Sequence, residues 1–88
     1  MPTIKFTKNF EKSFKKRIAP HLSLTKKFAM RLKIFQSNPQ NPILRDHALT
    51  GTKIGKRAFS ITGDYRVVYG KNSEAIVFYD IGTHNQVY

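Results

Sequence analysis

The 88 residues include no cysteine and no tryptophan, and only 5 of them are Asp or Glu. Without cysteine the chain has neither disulfides nor thiolate metal ligands, so its stability must come from packing alone, which is demanding at this length. No run approaches the roughly 18 to 20 apolar residues of a membrane span, and the N-terminus has no charged-then-apolar segment ending in small residues. Neither a membrane partner nor secretion is expected, and a cytoplasmic location is the default. Against these absences stand 16 Lys+Arg, a formal net charge of +11, and 40% hydrophobic residues that include 7 Phe and 4 Tyr. That aromatic content separates the chain from disordered polycations and points to one folded domain over residues 1–88. Its charge draws it to polyanions such as nucleic acid, or to an acidic protein.

The charge is unevenly spread. Residues 1–44 carry ten Lys+Arg and one acid, Glu11, whereas residues 45–88 carry six against four. Thr3 to Phe6 alternate as a short half-buried strand, and Thr7 is placed to cap a helix. Phe10, Phe14 and Ile18 recur every four residues among Lys8, Lys12, Lys15, Lys16 and Arg17, which predicts an amphipathic helix halted near Pro20. Leu24, Phe28, Leu32 and Phe35 form the stripe of a second helix, closed by Ser37-Asn38-Pro39. Residues 38–55, with two prolines and two glycines, read as a long connection of the kind that carries function in small domains. From Arg57 the period becomes that of strands: Arg57 to Thr62, a Gly63-Asp64 turn, Tyr65 to Tyr69, a turn at Gly70 to Ser73, and Glu74 to Ile81. The resulting expectation is an α+β fold of order βααβββ, with a helical hairpin packed on one face of an antiparallel sheet and the other face open.

Alternation assigns the strand faces. With Phe59, Ile61, Tyr65, Val67 and Tyr69 toward the core, Ala58, Ser60, Thr62 and Arg66 face outward. A strand-held guanidinium suits a phosphate, since its planar fork donates in pairs and keeps its charge, although Arg66 alone also reads as an ordinary solvated arginine. His47 precedes the meander and His84 follows it, so antiparallel neighbours can bring both near Arg66. Two imidazoles near neutrality can serve as base and acid in cleaving RNA through its 2′-hydroxyl; otherwise each is a polar loop residue. Their spacing is not that of metal ligands, and no metal or other cofactor is expected. His21, in the interhelix turn, is given no role. Tyr88 either stacks on a base or anchors the chain end. Asp64 fits a turn, and Lys53, Lys56 and Arg57 form a basic cluster that is either solvated or in contact with RNA phosphates.

The runs Arg45-Asp46-His47-Ala48-Leu49-Thr50-Gly51, Gly55-Lys56-Arg57, Ile61 to Tyr69 and Gly82-Thr83-His84-Asn85-Gln86-Val87-Tyr88 resemble the RelE/ParE superfamily of toxins over nearly the whole chain, and in particular its YafQ branch. The resemblance implies a compact βααβββ toxin of a type II toxin-antitoxin system, silenced by an acidic antitoxin. It further implies a ribosome-dependent, metal-independent endoribonuclease that cuts mRNA in the decoding site by 2′-hydroxyl attack. Carried over by position, His84 is the general acid, His47 or Asp64 assists the base, Arg66 stabilises the phosphorane and Tyr88 orients a base. Two positions depart from YafQ-like toxins: Ser60 stands where they have a histidine, and Asp80 where they have an arginine. ParE-like members share the fold and inhibit DNA gyrase, which is the alternative together with a catalytically weakened relative; His84 and Tyr88 argue against the gyrase reading.

Overall fold

Thr7 sets the first boundary. In the computed structural model, which describes residues 3–88, its side chain accepts a hydrogen bond from the Phe10 N–H at 3.0 Å and so caps α1 (Lys8–Arg17). Phe10 and Ile18 from this helical segment are buried and Phe14 partly so, the apolar stripe read from the sequence. After a short turn, α2 (Leu22–Ser37) buries Phe28 and Phe35. It starts two residues ahead of its stripe, with His21 as an N-cap that makes no side-chain bond.

The strands β1 (Thr3–Phe6), β2 (His47–Ala48), β3 (Arg57–Ser60), β4 (Tyr65–Lys71) and β5 (Ala75–Thr83) form one sheet in the order β1-β5-β4-β3-β2. The meander β3-β4-β5 is antiparallel as expected, but β1 joins β5 in parallel, with Thr3 opposite Ala75 and Phe6 opposite Phe78. The sheet is therefore mixed rather than antiparallel throughout. A parallel partner needs a crossover, and the helical hairpin between β1 and the meander provides its length. Beyond Phe6 the edge of β5 is satisfied by the first helix from its cap to its last turn: the Thr7 N–H donates to the Phe78 carbonyl at 3.1 Å, Asn9 Nδ2 to the Tyr79 carbonyl at 2.8 Å and Arg17 Nη1 to the Ile81 carbonyl at 3.0 Å. The register of β4 and β5 slips once, so that Val68 faces Asp80 and Tyr69 faces Phe78, leaving Tyr79 as an extra residue on β5. The slip lets Phe78 and Ile81, three positions apart, both reach the core.

That core lies between the hairpin and the sheet. Phe35 stacks on Phe59 with centroids 4.6 Å apart, and Phe10 meets Phe78 edge-on at 5.5 Å. Arg31 ties α2 to the connection and the meander by donating to the carbonyls of Ile43 (2.9 Å) and Ser60 (3.0 Å).

The opposite face is not left open, contrary to the alternation reading. Ala58 and Ser60 are buried there, at 0% and 4% exposure. Strand β5 runs to Thr83 and passes into a one-turn helix, α3 (His84–Val87), which packs on β4 and β5 and buries Val87. Gly82 lies under this turn: a Cβ there would come within 2.6 Å of Gln86 Oε1, 2.8 Å of Arg17 Nη1 and 3.1 Å of Gln86 Cβ, so a larger residue would have to displace those two side chains. The 38–55 connection also carries more structure than expected, with 3₁₀ turns at Pro42–Leu44 and Gly51–Lys53 flanking β2. Among the described residues no helix is long and apolar enough to cross a membrane.

Candidate active site

Three separate elements converge on Tyr88. Strand β4 presents Arg66, β2 presents His47, and α3 begins at His84. Arg66 is paired with Ser60 on one side and Gly82 on the other, so ladders on both flanks fix its backbone. Its Cζ lies 6.0 Å from the centre of the Tyr88 ring, and its Nη1 reaches Ser60 Oγ at 3.4 Å. The Arg66 Nε is enclosed and has no acceptor among the described residues, an unpaired buried donor.

His84 and Tyr88 stand four residues apart, the spacing of neighbours on a helix face. Their rings meet perpendicularly with centroids 4.5 Å apart. The turn is secured by the Thr83 N–H donating to Gln86 Oε1 at 2.8 Å and the Tyr88 N–H donating to the His84 carbonyl at 3.1 Å. Burial pushes the Tyr88 phenol above its ordinary pKa, and the Arg66 guanidinium opposes that shift without cancelling it.

His47 completes the group. Its Nε2 is 3.5 Å from the Tyr88 hydroxyl, a long contact, and the two ring centroids are 6.5 Å apart. On the other side of the ring Nδ1 is 3.0 Å from the carbonyl oxygen of Arg45. A carbonyl only accepts, so Nδ1 carries the hydrogen in neutral His47 and Nε2 is left as the acceptor, with the Tyr88 hydroxyl as its long contact. A cleft of about 320 Å³ opens beside this pair, lined by His47, Leu49, Thr50, Thr52, Lys53 and Tyr88 among others.

The other candidates are placed differently. The Asp64 carboxylate is exposed and makes no hydrogen bond among the described residues. Its turn is built instead by Thr62 Oγ1, which accepts from the Asp64 N–H at 3.2 Å and the Tyr65 N–H at 3.1 Å. Tyr65 is registered with Thr83, so Asp64 sits at the end of the sheet where α3 begins. Lys56 lies with Nζ 4.5 Å above the Tyr79 ring. Arg57 is engaged within the protein: its Nε donates to Asp46 Oδ1 at 2.6 Å. The second Asp46 oxygen accepts a short hydrogen bond from the Tyr69 hydroxyl. Burial, reinforced by that carboxylate, raises the Tyr69 pKa well above the usual tyrosine value. Of the positions where YafQ-like toxins differ, Ser60 partners Arg66, and Asp80 accepts from Arg17 Nη1 at 3.3 Å. No group of three His, Cys, Asp or Glu among the described residues is arranged to hold a metal ion.

The sequence marks neither Asp46 nor Tyr69 for a role: both stand within the family-like runs, and Tyr69 otherwise reads as a core residue. Their contact spans 23 positions, and no periodicity reports it.

The small α+β fold is shared with solved toxin structures. The YoeB/ParE toxin from Agrobacterium tumefaciens superposes with a TM-score of 0.75 at 14% identity, over 93% of this chain and 98% of that one. More narrowly, the chain belongs to the YafQ family, described as "Bacterial toxin of type II toxin-antitoxin system, YafQ", whose profile matches residues 2–88. YafQ from E. coli strain BL21(DE3) superposes with a TM-score of 0.84 at 20% identity, covering 100% of this chain and 99% of that one. YafQ in the E. coli DinJ-YafQ complex gives 0.77 at 25% identity, over 100% and 99%. No protein of curated function matches the chain significantly.

Proposed function

We propose that this toxin is a ribosome-dependent endoribonuclease that cuts mRNA in the decoding site. The observation that carries the reading is the convergence of His47, Arg66 and His84, from three different elements, around one aromatic ring. His47 accepts the proton of a ribose 2′-hydroxyl at Nε2, the nitrogen left unprotonated by the Nδ1 contact with the Arg45 carbonyl, and the hydroxyl takes the place of the long Tyr88 contact. The 2′-oxygen attacks the adjacent phosphorus. Arg66, whose guanidinium lies beside the Tyr88 ring, takes up the charge that develops on the phosphorane oxygens. His84, entering as the imidazolium, protonates the departing 5′-oxygen. The products are a 2′,3′-cyclic phosphate and a 5′-hydroxyl, with the proton gained by His47 balancing the one lost by His84. Tyr88 stacks on a base beside the scissile bond, and Asp64 assists His84 or the base from the sheet end. Lys53 and Lys56 follow the RNA backbone; Arg57, held by Asp46, contributes charge at longer range.

Five acids and three histidines leave few candidate bases, so the ribosome is assigned the alignment of substrate. The partner that silences the toxin is an acidic antitoxin, as DinJ accompanies YafQ in the E. coli complex. Exposed Lys8, Lys12, Lys15 and Lys16 on α1 and Lys26, Lys27 and Lys33 on α2 give it a cationic surface, and added salt should slow its association. The test is primer extension on mRNA incubated with the purified protein, with and without ribosomes, beside a gyrase supercoiling assay. In-frame cuts that appear only with ribosomes are expected. Loss of supercoiling activity without any cut would transfer the protein to the gyrase-inhibiting class.

A further inference from the structure

We propose that Asp46 is a positioning residue: by clamping Tyr69 and Arg57 it holds the Arg45–His47 segment so that His47 keeps the tautomer needed of a base. This inference rests on the catalytic reading of His47 given above. Strand β2 has only two residues, and its antiparallel pairing reaches just Arg57 and Ala58, extended by the Leu49 N–H donating to the Lys56 carbonyl at 2.9 Å. So short a ladder holds a backbone weakly.

The Asp46 side chain supplies a second attachment. Its Oδ1 accepts from Arg57 Nε at 2.6 Å on β3, and its Oδ2 accepts from the Tyr69 hydroxyl on β4. Tyr69 is 1% exposed and its ring meets Phe35 edge-on at 5.0 Å, so the anchor is the hydrophobic core itself. The Arg57 partner is 42% exposed, where an ion pair contributes little, which leaves Tyr69 as the stronger hold.

The consequence falls on Arg45. This residue adopts φ 50° and ψ 39°, the only positive φ outside glycine among the described residues. That conformation is unfavourable for a side-chain-bearing residue and persists only if both ends are fixed. On the N-terminal side Leu44 is fully buried and the Arg45 N–H donates to the Pro42 carbonyl at 3.1 Å. On the C-terminal side the fixing element is Asp46. Between these anchors the Arg45 carbonyl is turned to His47 Nδ1 at 3.0 Å, the contact that selects the tautomer. Asp46 itself does not contact the His84, Arg66 and Tyr88 group; its influence passes through Arg45 to His47.

Four measurements decide the matter. The first is the ¹⁵N-resolved imidazole spectrum of His47 in the whole protein and in Tyr69→Phe, a variant that keeps the core ring and removes one hydroxyl. A single Nδ1–H tautomer is expected in the former and a mixture in the latter. The second is single-turnover cleavage on programmed ribosomes, with the maximal rate of Tyr69→Phe falling about tenfold to a hundredfold while the half-saturating concentration stays within about twofold. The third repeats Tyr69→Phe in a His47→Ala background, where no further loss is expected because the effect acts through His47. Asp46→Asn, which retains an acceptor for the Tyr69 hydroxyl, should lose less activity than Asp46→Ala. An unchanged tautomer in Tyr69→Phe, equal losses in both backgrounds, or the reverse order of the two Asp46 variants overturns the proposal. Should His47→Ala cleave like the unaltered protein, the catalytic reading of His47 fails, and the tautomer spectrum alone then judges the clamp.

Discussion

Arg66 and His47 are brought to the same aromatic ring by opposite means. Arg66 sits within the seven residues of β4, bonded to β3 on one side and β5 on the other, above a core of phenylalanines. His47 sits in a two-residue strand at the sheet edge, between 3₁₀ turns and after a left-handed arginine. The central strand needs nothing but its ladder. The edge segment needs side chains that reach back into the sheet, and Asp46 is the one that does so. Where backbone pairing is short, side-chain hydrogen bonding to the core takes over the task of placement.

The largest effects are expected at the reacting groups, whichever way they are held. His84→Ala should lower single-turnover cleavage about 100-fold to 10,000-fold, and Arg66→Ala comparably, because neither an undelivered proton nor an uncompensated phosphorane charge has a substitute nearby. Circular dichroism of both variants should remain that of the folded protein. Amide hydrogen exchange then separates the two regions directly. Val67, Val68 and Tyr69 should exchange only through global unfolding, and His47 and Ala48 roughly a hundredfold or more faster through local opening. Equal protection would erase the contrast between strand and loop.

Alkaline pH probes the clamp from the side of stability. The Tyr69 phenol is raised in the folded protein, so the native state keeps its proton where the unfolded chain has lost it. The stabilisation is complete below the ordinary tyrosine pKa near 10, and as pH climbs beyond that value it is lost at about 1.4 kcal/mol per pH unit. Urea titrations between pH 9 and 12, as an approximate range, should show this slope, and Tyr69→Phe should flatten it by one proton's worth. At the small end, Tyr88→Ala should weaken RNA engagement by about 1 to 3 kcal/mol, and His21→Ala, an exposed helix cap without a side-chain bond, should change stability by no more than about 0.5 kcal/mol.

The same contrast explains what could be read from the sequence. Both helices, the meander and the outward aspect of Arg66 follow from periods of 3.6 and 2, and the cap at Thr7 from residue type. The family motifs brought His47, His84 and Tyr88 forward as a set, and they do lie together. Strand β2 is too short to show a period, and the parallel union of β1 with β5 joins Thr3 to Ala75, a pairing no local pattern encodes. The burial of Ala58 and Ser60 runs against the alternation that marks them as outward, and α3, with four residues, is too short to show a period. The engagement of Arg57 depends on Asp46 arriving from 11 residues away, so a cation that reads as solvated becomes part of the scaffold.

The most direct test of the central claim, that the group around Tyr88 cuts RNA by 2′-hydroxyl attack, is the end chemistry of the cleaved message. Fragments from ribosome reactions with the unaltered protein should carry a 2′,3′-cyclic phosphate upstream and a 5′-hydroxyl downstream, and His84→Ala should yield almost none. Fragments bearing a 3′-hydroxyl and a 5′-phosphate, or undiminished cyclic phosphate from His84→Ala, would contradict the assignment.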